Sequence, residues 1–271
     1  MANAMIATSA LVDAATLTSP SALPATLPIA NLQDYRLGKV ARFTDPTDVI
    51  VVADLGAAPD PGITLLGLLG TNLSATATVR WRGTASEAGL TAAPGYDGGT
   101  VSAWTSFGQP AGWDVLHSLK FPATPQSFQW WRCDAADPDN ASEDGVDIGR
   151  LYIDAAWQPS INIQYGAGLG FIDPSIVGLA RGGQLLVQPL RRRRAGTFLL
   201  DFLREDEMLR NAFELDRLRG VEKDVLLVVD PAATEHLHRY SVYGLLTELK
   251  PIVLPKSGVF QKPYSLEELI A

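Results

Sequence analysis

Cysteine and histidine are nearly missing from this chain of 271 residues, which carries one of the first and three of the second. A lone Cys133 excludes an internal disulfide framework and any multi-cysteine metal cage. His117, His236 and His238 leave little else for a zinc site. Long apolar runs are missing too: the most hydrophobic stretch, residues 63–69, is interrupted by Gly67, so no membrane span is expected. No Lys or Arg precedes Arg36, which removes the basic start of a secretory signal, and no export signal is expected. An excess of positive charge is also lacking. Twenty-two Lys plus Arg stand against 30 Asp plus Glu, a net charge of −8, which argues against general attraction to nucleic acid or anionic lipid. The motifs G-x-S-x-G, H-E-x-x-H and the P-loop do not occur, so the chain is read as non-catalytic and without cofactor or bound metal.

What is present is ample core material, 46% hydrophobic residues against 19% charged, enough for two domains. Residues 1–30 are rich in Ala, Ser, Thr and Pro, and Pro20, Pro24 and Pro28 would each break a helix. That composition predicts an extended N-terminal arm ordered against a neighbouring chain. From Asp48 short apolar runs separated by Gly, Pro, Asn and Asp predict an all-β domain, 31–157. Residues 48–55 and 63–69 read as buried strands. Residues 75–82 alternate, with Ala75, Ala77, Val79 and Trp81 on one face. Residues 91–112 predict a long loop carrying Trp104, and residues 127–133 and 148–154 a pair of neighbouring strands. In 158–271 the pattern predicts strands at 184–190, 196–203, 224–229 and 241–249 and one packed helix at 204–219. Glu205, Asp206 and Glu207 lie at its positive end, Gly220 stops it, and Met208, Leu209, Ala212, Leu215 and Leu218 form its apolar face.

The run FQWWRCDAADPDNASEDGVDIGRLYID, 128–154, resembles a pattern of minor tail proteins of tailed bacteriophages, in which an aromatic strand ending in Arg leads through a turn to an IGRL strand. VVADLG at 51–56, GTNLSATATVRWRG at 70–83 and LPIANLQDYRLGKVARFT at 27–44 are similar to further pieces of those proteins. The resemblance implies a mainly β protein: a jelly-roll, galactose-binding-like β-sandwich over 31–157. The β-rich domain that follows, 158–271, is similar in outline to distal-tail proteins of the tail tip and baseplate. It implies a virion protein made in the host cytoplasm, with other tail proteins and copies of itself as partners. No sugar-binding residue set is carried over, so a host surface glycan is an alternative partner and a tail-associated glycan hydrolase a third reading.

Four features carry candidate chemistry. Asp137, Asp139 and Asp144 sit in the acidic loop 134–147 and offer oxygen ligands to a cation, although the loop lacks the glycine and glutamate of an EF-hand. Against this stands a solvated turn. His236 and His238, two apart, would face one way in a strand, and Cys133 reads as a small core residue. Trp130 and Trp131 must point to opposite faces of a strand, leaving one for an interface or for intramolecular cover. Arg191, Arg192, Arg193 and Arg194 are the densest basic cluster, in a stretch (181–223) of net +3 within a remainder of −11. Unpaired burial being prohibitive, they belong at a hairpin end, at an edge or against acidic groups. The functional expectation is an assembly contact in a symmetric ring, with the acidic loop as one counterpart.

Overall fold

In a computed structural model that describes residues 2–8, 10–104, 116–142, 144–233 and 235–270, alternation drives the first half of the chain into strands. In order these are β1 (Met5–Thr8), helix α1 (Ala10–Ala14), β2 (Thr16–Thr18), β3 (Ala41–Phe43), β4 (Val49–Asp54), β5 (Leu65–Thr71) and β6 (Thr78–Thr84). Helix α2 (Gly89–Ala92), β7 (Tyr96–Asp97), β8 (Val101–Ser102), β9 (Leu116–Lys120), β10 (Trp130–Ala136) and β11 (Val146–Asp154) follow. One antiparallel sheet runs β2-β4-β10-β6-β7, with β8 also on β6; the other runs β3-β11-β5-β9. From β3 onward the last strand lies beside the first and the next-to-last beside the second, in alternate sheets. This is the double Greek-key order of a jelly roll.

The alternation in β6 and β10 shows why the two sheets face each other. Ala77, Val79 and Trp81 are buried with Trp131, Cys133 and Ala135, and the intervening Arg80, Arg132 and Asp134 look outward. Inward residues of both sheets form one core with Phe43, Val51, Leu66, Leu68, Ile148 and Leu151. Each buried aliphatic side chain contributes roughly 1.5–3 kcal/mol. The strands at 127–133 and 148–154 are not neighbours, contrary to expectation: β10 and β11 belong to opposite sheets, because the acidic loop between them crosses from one to the other. Of the expected loop 91–112, the segment up to Trp104 forms short strands and buries Trp104, whose Nε1 donates to the Ser74 carbonyl at 2.5 Å. The remainder, from 105, lies outside the described residues.

Contacts divide the chain into two units, 1–158 with 224–241 and 270–271, and 159–223 with 242–269. The second unit holds β12 (Gly168–Ile172), β13 (Ile176–Leu179), β14 (Leu185–Gln188), β15 (Arg193–Leu203) and helix α3, residues 205–219, with a π-helical stretch at Met208–Phe213. The chain then rejoins the first unit in β16 (Asp224–Val228) and α4 (Leu237–Tyr240), and ends mostly in the second with β17 (Ser241–Leu246), β18 (Val253–Lys256) and β19 (Val259–Glu268). β19 is central, pairing β15, β17 and β18. Helix α3 packs by Met208, Ala212 and Leu215, with the Tyr264 hydroxyl of β19 reaching the Ala212 carbonyl at 3.4 Å. Leu209 and Leu218, expected on that face, are half-exposed instead. The π-helical turn adds residues per turn and rotates the pattern off a 3.6-residue period.

Residues 1–30 are a correction. Among the described residues of this segment there is no free arm: β1 pairs with β16 from Met5↔Val228 to Thr8↔Val225, β2 pairs with β4, and Ala4 to Ala7 and Val12 are buried. Pro20, Pro24 and Pro28 all follow Thr18 and so bar none of these elements. A buried ionic cluster fastens the segment. Arg150, on β11, binds Asp13 of α1 at 2.5 Å and Asp224 of β16 at 3.1 Å, and the Tyr152 hydroxyl donates to Asp224 at 2.9 Å.

Candidate interaction surface

The second unit carries most of the exposed large apolar side chains among the described residues. β12 pairs with β15 and β13 with β14, so residues 168–197 form a β-ribbon closed by Gly182 and Gly183. Gly183 takes the left-handed φ of 81° that the turn requires, and its N–H donates to the Ala180 carbonyl at 2.9 Å. Successive side chains on a ribbon face opposite sides. Here both sides are apolar: Ile176, Val177, Leu179, Leu185, Leu186 and Val187 are each 57–72% exposed. A two-stranded hairpin is marginal in water without cover. Of the 22 exposed large hydrophobic residues among those described, 20 lie in the second unit.

Further apolar side chains are exposed on α3 and two residues from its N-cap Arg204: Leu209 and Phe213 on the helix and Phe202 at the end of β15 are about half-exposed. Phe202 is the one described non-glycine residue with positive φ, 58°. It sits at the register shift of β15 against β19, where Leu200 and Asp201 are both buried and the strand's alternation slips by one. Left-handed backbone is unfavourable for a bulky side chain. The slip turns an aromatic ring outward.

The arginine run resolves into own-chain ion pairs. Arg192 pairs with Asp173 at 2.9 Å, Arg193 with Glu267 at 2.7 Å, and Arg194 with Glu268 at 2.5 Å. The last pair is buried, Arg194 at 5% exposure. Hydrogen bonds from Ser175 and Arg192 hold the Asp173 carboxyl at about 2. Of the three placements expected, the acidic-group one applies, and Arg193 and Arg194 begin β15 rather than tip a hairpin.

Trp130 and Trp131 do point to opposite faces. Trp131 fills the core and donates from Nε1 to the Phe128 carbonyl at 2.9 Å; Trp130 is half-buried on the outer face, opposite Asp54 and Thr84. The acidic carboxylates do not converge on a cation. Asp137 is fully buried and accepts from Ser74 and from Asn140 at 2.8 Å, Asp139 accepts from Thr76 at 2.9 Å, and Asp144 pairs with Arg42 at 2.9 Å. Among the described residues no three His, Cys, Asp or Glu side chains are placed to hold a metal; Glu143 lies outside them. They are turn residues, as Asp and Asn prefer. His236 and His238 are not on a strand: His238 is buried in α4, its ring 5.3 Å from that of His117, and its Nδ1 accepts the His117 N–H at 3.4 Å. Cys133 is buried, and desolvation pushes its thiol well above the ordinary range.

The apolar ribbon is the feature that sequence reading missed. Its signal was residues 176–190, an apolar segment hinged on Gly-Gly, which reads as a hairpin with no polar face.

No protein-family model and no curated protein matches the chain. Two solved structures are similar. One is CBM32-1 from a family 31 glycoside hydrolase of Clostridium perfringens, at 9% identity and TM-score 0.34, covering 52% of this chain and 93% of that one. The other is an f-lectin (fucolectin) from the serum of striped bass, Morone saxatilis, at 9% identity and TM-score 0.39, covering 74% and 75%. At these scores the jelly-roll assignment stands on the strand order above.

Proposed function

We propose that the chain is a structural subunit of a larger particle and works through assembly contacts without catalysis. The observation that carries this reading is the outer part of the ribbon, 176–190, apolar on both sides and uncovered in the single chain. Contiguous exposed apolar surface of this kind marks interaction sites. The resemblance of residues 27–157 to minor tail proteins supports a phage tail tip or baseplate as that particle, with the virion as the location. Mass spectrometry of purified particles from a host carrying this sequence tests it. The chain is expected in the particles at a fixed ratio to other tail proteins; its absence from them would refute the reading.

A second reading, recognition of a host glycan by the jelly roll, is favoured by Trp130. Its half-buried ring lies opposite Asp54, whose carboxylate also accepts from the Gln129 amide at 2.8 Å. An aromatic face beside a carboxylate and an amide is a chemistry that orients a polyhydroxy ligand. The two similar structures are, by name, a carbohydrate-binding module and a lectin. A glycan array probed with the full chain and with Trp130→Ala tests it: binding that the substitution removes supports this reading, and an empty array disposes of it.

A further inference from the structure

We infer that the ribbon is covered by a second copy of this chain, docking on the α3 side of that copy's second unit around Phe202, Leu209 and Phe213. The inference rests on the assembly reading and names the partner. Three observations converge on it. First, the two areas are distinct and both uncovered, one a protruding ribbon and the other built on a helix and a bulged strand. Among the described residues of the first unit only Tyr35 and Val101 are large, apolar and exposed, so the apolar surface available to a ribbon lies in the second unit, on the α3 side and at Leu249, Val253 and Leu254; charge and backbone favour the α3 side.

Second, the charges are complementary. Residues 165–192 carry Arg181, Arg191 and Arg192 against Asp173, a net +2. Residues 201–222 carry seven acidic and four basic side chains, a net −3. A ribbon meeting another ribbon would juxtapose like charge, whereas a ribbon meeting α3 juxtaposes opposite charge. Third, Phe202 keeps an unfavourable backbone conformation that turns its ring to solvent. Such outliers persist where the exposed group has work to do. Because each copy uses two different patches, the contact is head-to-tail and propagates into a ring or a filament.

Two variants test this, one with Leu179→Ser and Leu186→Ser on the ribbon, the other with Leu209→Ser and Phe213→Ser on the helix side. All four side chains are exposed, so circular dichroism and melting should match the parent, which separates assembly loss from unfolding. By analytical ultracentrifugation the parent is expected to form oligomers, and each variant alone to associate about thirtyfold more weakly or worse, the effect of losing interface anchors. Mixed together, the two variants retain one good ribbon and one good helix side, and are expected to form a dimer that grows no further. Self-association of the helix variant at the parent's strength, with none by the ribbon variant, would mean ribbon-to-ribbon pairing and overturn the inference. A monomeric parent at tens of micromolar would also overturn it. If the ribbon variant is then still excluded from particles, the occupant is another protein and the assembly reading survives; if it is incorporated normally, the ribbon is no assembly contact and the inference falls, while the chain's presence in particles remains the test of the assembly reading.

Discussion

Residue-scale behaviour here is set by buried charges that have partners. Arg150 and Asp224 are 1% and 3% exposed at their side chains, and removing one leaves the other desolvated. Asp224→Ala is therefore expected to lower stability by about 3–5 kcal/mol in denaturant melts, the usual cost of stranding half of a buried pair. A loss below about 1 kcal/mol would mean that Asp13 alone satisfies the guanidinium. Exposed pairs behave differently. Asp97, bonded first to Arg80 and then to the Gly99 N–H, has its carboxyl lowered to about 2. Its folded value lies below its unfolded one, so its stabilisation is present above about pH 4 and is lost as pH falls toward 2. The side chain is 34% exposed, so solvent screening keeps the effect under about 1 kcal/mol. Asp97→Asn should flatten the stability profile between pH 4 and 2 by that amount; an unchanged slope would contradict the assignment. The arginine run shows how far sequence reaches at this scale. Its need for acidic partners follows from desolvation alone, but Glu267 and Glu268, some 75 positions away, become neighbours only through β15–β19 pairing. Replacing all four arginines is thus no neutral surface change, since it strands Glu268.

Among the elements, periodicity was readable wherever one face is buried and the period regular. β6 and β10 alternate as their sequences do, because one side of each meets the core. Helix α3 was legible in its limits from acidic residues at the start and Gly220 at the end, where φ is 54°. Its buried face was only partly legible, because the π-helical turn at Met208–Phe213 breaks the period. Leu215→Ala, at a buried position, should cost about 2–5 kcal/mol, while Leu209→Ser should change the melt by less than about 0.5 kcal/mol. Equal effects would place both leucines on one face after all. The N-terminal segment misled because its composition is that of an arm, whereas β1 and α1 are fixed by strand pairing to β16 and by Asp13 on Arg150, both more than 130 positions distant. Deleting residues 2–18 should accordingly destabilise the first unit by several kcal/mol. A truncated chain that melts as the parent does would restore the free-arm view.

For the whole molecule, apolar surface is unevenly divided: a jelly roll that hides its hydrophobic residues and a second unit that shows them. An all-β domain was accessible from strand spacing, and the jelly roll from the resemblance that the motifs carry. The exposed apolar ribbon was not, because exposure depends on packing that sequence does not show, while Arg193 and Arg194 of the arginine run are bound within their own unit. An apolar hairpin without polar alternation reads in sequence as a buried strand, and only the fold shows that it is uncovered. Whether the uncovered ribbon holds the chain in a particle is read from incorporation. Particles are assembled with the parent chain or with the folded ribbon variant carrying Leu179→Ser and Leu186→Ser, and the copies retained per particle are counted. Retention of the parent and loss of the variant are expected; equal retention of both would mean that the ribbon makes no contact in the particle.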